Sequence, residues 1–143
     1  MELIYVIMNV AIYTILGMIL MMLGNVIVDL IIPCHFPTEI QKGNQAVGWI
    51  SAGSFIGIGI ILRAAVMSPT VEELEESLIQ GICSTVVYFL VGILFFVIGY
   101  FMIKIFNRKY NLNEEISKGN TAAGIMVSGI FIGIAILVSG VIF

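Results

Sequence analysis

Four long apolar stretches separated by short polar passages organise the chain. They run from Leu3 to about Val28, Ala46 to about Met67, Leu78 to about Ile103, and Thr121 to Phe143. Each is long enough to cross a hydrocarbon core of about 30 Å as a helix rising about 1.5 Å per residue. The first and third would reach about 39 Å, so they must tilt or project beyond the core. The expected architecture is therefore an all-α integral membrane protein with four transmembrane helices.

The polar passages carry a repeat. Glu39-Ile40-Gln41-Lys42-Gly43-Asn44-Gln45-Ala46-Val47-Gly48 recurs as Glu115-Ile116-Ser117-Lys118-Gly119-Asn120-Thr121-Ala122-Ala123-Gly124, with seven of ten aligned positions identical. Upstream, Tyr13, Gly17 and Gly24 return as Tyr88, Gly92 and Gly99 at an offset of 75 residues. Downstream, Gly53-Ser54-Phe55-Ile56-Gly57-Ile58 matches Gly129-Ile130-Phe131-Ile132-Gly133-Ile134 at an offset of 76, so the second copy gained one residue in its connection. Each unit is a helical hairpin. The organisation is a first two-helix repeat over 1–68, an acidic connection over 69–77 and a second two-helix repeat over 78–143. With two crossings per unit, both copies start from the same side, giving parallel repeats about an axis along the membrane normal.

Composition agrees with the pattern. Of 143 residues, 60% are hydrophobic and 10% charged, against about 25% charged in ordinary soluble domains. Mean hydropathy is +1.14. The start, Met1-Glu2-Leu3-Ile4, lacks the basic leader of a cleaved signal and reads as a retained first helix. Lys42, Lys104, Arg108, Lys109 and Lys118 share one side, whereas Arg63 and the glutamates Glu72, Glu73, Glu75 and Glu76 take the other. The positive-inside rule then places both Lys-Gly-Asn motifs in the cytoplasm and both termini outside the cytoplasmic membrane. This topology separates Cys34 from Cys83, so the two should not pair within a chain. No basic patch large enough for a nucleic-acid duplex is present.

Several residues are candidates for chemistry, each beside a structural alternative. The motif residues Glu39, Lys42 and Gly43, with Glu115, Lys118 and Gly119, fit a short interfacial helix with an acidic start, a basic last turn and a glycine C-cap. Thr38 or Asn113 would be the N-cap. Asn44 and Asn120 would then turn the chain into the spanning helices, or coordinate an ion or headgroup. Asp29 and Lys104 occupy equivalent positions with opposite charge, which suggests an ion pair across the pseudo-axis or two interfacial anchors. Asn25, one turn before Asp29, extends that polar stripe inward. Gly53 with Gly57, and Gly129 with Gly133, are small-x-x-x-small faces for close helix packing within or between protomers. Cys34, His35 and Glu39 do not amount to a tetrahedral metal set, and no cofactor is expected. Nothing assembles a nucleophile with a base or a phosphate loop, so an enzyme is not expected.

The duplicated Glu-Ile-x-Lys-Gly-Asn-x-Ala followed by Gly-x-Phe-Ile-Gly-Ile resembles the DUF350 family, also described as UPF0719 transmembrane proteins, over nearly the whole chain. Asp29 and Pro33 also resemble that family's Asp and Pro before the hairpin, whereas the second copy carries Lys104 and Arg108 there. The resemblance implies a small four-helix protein of a bacterial or archaeal inner membrane, from a family associated with membrane-stress and envelope systems and without an established activity.

Two functional expectations follow. One is a channel-like or transport-associated homo-oligomer with a polar path through Asn25, Asp29, Lys104, Asn44 and Asn120. The other is a structural or stress-sensing scaffold that docks a cytoplasmic protein or lipid headgroups at the Lys-Gly-Asn hairpins.

Overall fold

The computed structural model describes residues 1–68 and 78–143; the acidic connection expected over 69–77 lies outside the described residues. Six helices follow one another: α1 Glu2–Ile31, α2 Phe36–Gln41, α3 Gln45–Met67, α4 Leu78–Phe106, α5 Leu112–Ser117 and α6 Thr121–Ile142. Helices α1, α3, α4 and α6 are long and apolar enough to cross a membrane, within a few residues of the expected spans. The short α2 and α5 carry the repeated motif.

Local chemistry sets the breaks. Pro33 forces the preceding Ile32 out of the helical region, to φ −87° and ψ 118°, and so ends α1. The second copy has no proline there. Its last carbonyls are taken by side chains instead: Asn107 Nδ2 donates to Ile103 O at 3.1 Å and Arg108 Nε to Ile105 O at 3.2 Å.

Helices α3 and α6 run parallel and make the most extensive contact in the molecule. Small residues set their approach. A Cβ added to Gly124 would lie 2.5 Å from Ala46 Cα, and one added to Gly53 would lie 2.6 Å from Ser128 Cα. Further along, Gly57 faces the Phe131 carbonyl and the Phe96 ring, which stacks on Phe131 at 4.8 Å between centroids. In lipid, apolar burial does little to bring helices together, so such backbone proximity supplies the packing energy. Helices α1 and α4 lie behind this pair: Gly24 receives the Ile58 side chain, its counterpart Gly99 receives Ile134, and Gly92 receives Ile61.

The two repeats meet through different faces. Gly53 and Gly57 are buried against the second repeat, but a Cβ built on Gly129 or Gly133 meets nothing within 4 Å among the described residues. Within the chain, among the described residues, the first glycine pair thus meets the other repeat and the second does not. Similarly, Gly124 is buried on Ala46 whereas its counterpart Gly48 is exposed and open. A two-fold relation would bury equivalent residues in both copies; this contact is head-to-tail.

Candidate functional site: the paired Lys-Gly-Asn hairpins

The repeated motif forms two superimposed capping devices. In the first, α2 ends at Gln41, Lys42 is its C-cap, and Gly43 takes a left-handed φ of 78° that a side chain would strain. The Gly43 N–H donates to Ile40 O at 3.0 Å and the Asn44 N–H to Glu39 O at 2.9 Å, the paired bonds of a Schellman motif. Asn44 is at once the last residue of that motif and the N-cap of α3, its Oδ1 accepting from Val47 N–H at 3.2 Å. Asn44 Nδ2 donates to Glu39 Oε2 at 2.9 Å, and Lys42 Nζ pairs with Glu39 Oε1 at 3.0 Å.

The second hairpin repeats the design. Gly119 has φ 83°, its N–H donates to Ile116 O, and the Asn120 N–H donates to Glu115 O, each at 3.0 Å. Asn120 caps α6 through Ala122 N–H at 3.1 Å and donates to Glu115 Oε2 at 2.7 Å. Lys118 pairs chiefly with Glu114 at 2.8 Å. Every identical polar position of the repeat therefore has a capping role.

One bond breaks the equivalence. Asn44 Nδ2 also donates to Ile116 O of the second repeat at 2.9 Å, tying the hairpins together. Thr121 Oγ1 adds a 3.0 Å bond to Gln45 Oε1. Asn120 makes no counterpart bond to the first repeat among the described residues, and it is exposed.

Electrostatics follow the hydrogen bonds. Donation from Asn44, then from Lys42, holds the Glu39 carboxyl below its ordinary range. Glu114 is lowered by Lys118, which is raised in return. Burial pushes the Cys34 thiol up to about 11, with the carboxylates of Glu39 and Asp29 adding to it, so the group stays protonated and weakly nucleophilic. Cys34 and Cys83 are both free.

The proposed polar path is distributed differently from the sequence expectation. Asp29 Oδ1 accepts from the Phe36 N–H at 2.8 Å, capping α2 from the preceding helix, and no ion pair with Lys104 exists among the described residues. The charge mismatch has a structural reason. In the second copy Asn111 is itself the N-cap of α5, accepting from Glu114 N–H, so an acid at position 104 is not needed. Neither Thr38 nor Asn113 serves as N-cap: His35 occupies that place in α2, Thr38 Oγ1 meets His35 Nδ1 at 3.2 Å, and Asn113 Oδ1 accepts from the Tyr100 hydroxyl. Asn25 Oδ1 accepts from Ser54 Oγ at 2.9 Å. Beside it, Ser51 Oγ is buried without a partner among the described residues. Ser54 was legible as a departure, since it replaces the Ile130 of the second copy where Asn25 replaces Tyr100. No group of three His, Cys, Asp or Glu residues is placed to hold a metal among the described residues.

Comparison with known proteins agrees with the duplication. The family described as Domain of Unknown Function (DUF350) matches twice, over residues 2–79 and 77–143. A UPF0719 transmembrane protein of Aquifex aeolicus (strain VF5) is 28% identical over 127 residues, covering 88% of this chain and 46% of that protein. The UPF0719 transmembrane protein YshE of Bacillus subtilis (strain 168) is 29% identical over 101 residues, covering 71% of this chain and 68% of that protein. The chain thus spans less than half the length of the Aquifex relative. No solved structure matches.

Proposed function

The chain belongs to the DUF350 family as a duplicated, multi-pass, all-α membrane protein, and we propose that it is a non-enzymatic scaffold of the cytoplasmic membrane. Its paired hairpins present one rigid platform to a cytoplasmic protein, with both termini on the outer side. The observation that carries this reading is the Asn44 side chain, which caps α3, grips Glu39 and reaches the Ile116 carbonyl, fixing two surface helices as a unit. Lys42 and Lys118 are ion-paired with glutamates of their own hairpins, so the platform offers balanced charge. That suits a protein surface better than anionic headgroups.

The test is photo-crosslinking in native membranes from positions 42 and 118. The same protein should be captured from both, and its yield should fall in Asn44→Ala. Failure of both positions to capture a common protein overturns the scaffold.

A transport-associated role is favoured by one observation, the Asn25–Ser54 hydrogen bond beside the unpartnered Ser51 hydroxyl inside the bundle. Under that reading, flux through purified protein in liposomes responds to Asn25→Leu and Ser51→Ala. Flux equal to that of empty liposomes over a broad ion panel removes it.

A further inference from the structure

We infer that the chain assembles with further copies of itself head-to-tail, through two open faces that are the repeat-equivalents of its own internal interface. Inside the chain, the first repeat offers one face of α3 and the second offers the groove between α4 and α6. Among the described residues the opposite face of each repeat is exposed or half-buried, and these two faces are complementary for the reason that the internal ones are.

The correspondence runs residue by residue. Ala46 packs on Gly124 internally; their counterparts Ala122 and Gly48 are both exposed. Gly53 packs on Ser128, whereas Gly129 is open and Ala52 half-buried. Gly57 is covered by Phe96 and Phe131; Gly133 is open among the described residues, and the matching Met21 and Phe55 are half-buried. Ile61 fills the space over Gly92, while its counterpart Leu137 is 73% exposed and Gly17 is half-buried.

Residue type is kept at most of these positions, as Ala, Gly, Gly, Gly, Phe and Gly, although among the described residues a Cβ built on Gly17, Gly48, Gly129 or Gly133 meets no atom of the other repeat. The polar rim agrees. Asn44 reaches Ile116 O and lies 3.7 Å from a Cβ built on Gly119, whereas among the described residues Asn120 lacks its counterpart bond and a Cβ on Gly43 meets nothing within 4 Å.

Two apolar grooves mark the halves. One, of about 640 Å³, runs between α1 and α3 past Gly17, Met21 and Gly59. The other, of about 570 Å³, runs between α4 and α6 past Phe95 and Leu137. Leu137 of one copy enters over Gly17 of the next, as Ile61 does over Gly92. Each copy carries one half of either kind in the same membrane orientation, so a finite assembly closes as a ring about the membrane normal, every protomer supplying two pseudo-equivalent units. This holds whether the assembled unit scaffolds or conducts.

Disulfide trapping distinguishes the arrangement, in a background with Cys34→Ser and Cys83→Ser. The Gly92 and Ile61 geometry, with a built Cβ 3.5 Å from Ile61 Cγ1, puts positions 17 and 137 of adjacent copies within bridging reach. Gly17→Cys and Leu137→Cys chains co-expressed in one membrane should oxidise to a dimer of twice the monomer mass. Each variant alone should stay monomeric on a non-reducing gel, and a chain carrying both changes should give a ladder ending at the ring.

Absence of the mixed dimer overturns the inference, as does equal self-linking of either single variant, which would mean a two-fold contact. Native mass in lipid nanodiscs decides independently. The wild type should exceed one copy and the Gly129→Leu/Gly133→Leu variant should fall to one; a monomeric wild type overturns the inference.

Discussion

The two repeats share their motif and most of their glycines, yet they do different work. Gly53 and Gly57 lie against backbone and rings of the second repeat, while a Cβ on Gly129 or Gly133 meets nothing within 4 Å among the described residues. Asn44 makes five hydrogen bonds that join three helices, while among the described residues Asn120 keeps its bonds within its own hairpin. The difference teaches that the identical residues encode a local device, the cap, and a surface that becomes an interface only where a complementary repeat stands beside it.

The largest expected effect comes from the glycines. Gly53→Ala pushes a methyl against Ser128 backbone and should destabilise the protein by about 1–3 kcal/mol, as overpacking does. Gly129→Ala meets nothing within 4 Å among the described residues and removes a glycine from a helix interior, so it should stabilise the monomer by about 0.5–1 kcal/mol. Reversible unfolding in mixed micelles compares them; equal losses would mean that the two faces are equivalent after all.

A smaller difference separates the asparagines. Asn120→Ala removes a helix cap and should cost about 1 kcal/mol. Asn44→Ala removes a cap and the bond to Ile116 O, which adds about 1 kcal/mol. The double substitution should equal the sum of the singles if the hairpins act separately; a smaller loss would reveal coupling through the shared contact.

The smallest effect is a pH dependence. The Glu39 carboxyl is lowered in the folded protein by Asn44 and Lys42, so its contribution is present above the ordinary carboxylate range. It is lost as pH falls through the lowered value and the group takes up a proton. Stability of the wild type should therefore decline more steeply below about pH 4.5 than that of Glu39→Gln. Superimposable profiles would break the assignment of this carboxylate to the Asn44 network.

Much of the fold was legible in the chain. Twenty-residue apolar runs fix four helices because a backbone in lipid must satisfy itself, and the internal repeat fixes their pairing into hairpins. From the sequence the C-caps fall at Gly43 and Gly119; the caps are Lys42 and Lys118, and the glycines take the left-handed position one residue beyond, which selects glycine. Three features escaped. Which glycine pair is covered cannot be read from residues that are the same in both copies. The fate of Asp29 depended on a backbone N–H seven residues away, which its opposition to Lys104 obscured. The double duty of Asn44 required the Ile116 carbonyl of the other repeat, a main-chain group with no sequence signature.

Asn44 closes one helix with its main chain and opens the next with its side chain, and Gln45 is already helical. No slack remains between the amphipathic segment at the surface and the rod in the bilayer. The Ala46 and Gly124 contact carries this joint on to α6, so a surface helix of one repeat and the spanning helices of both are held through a single residue step.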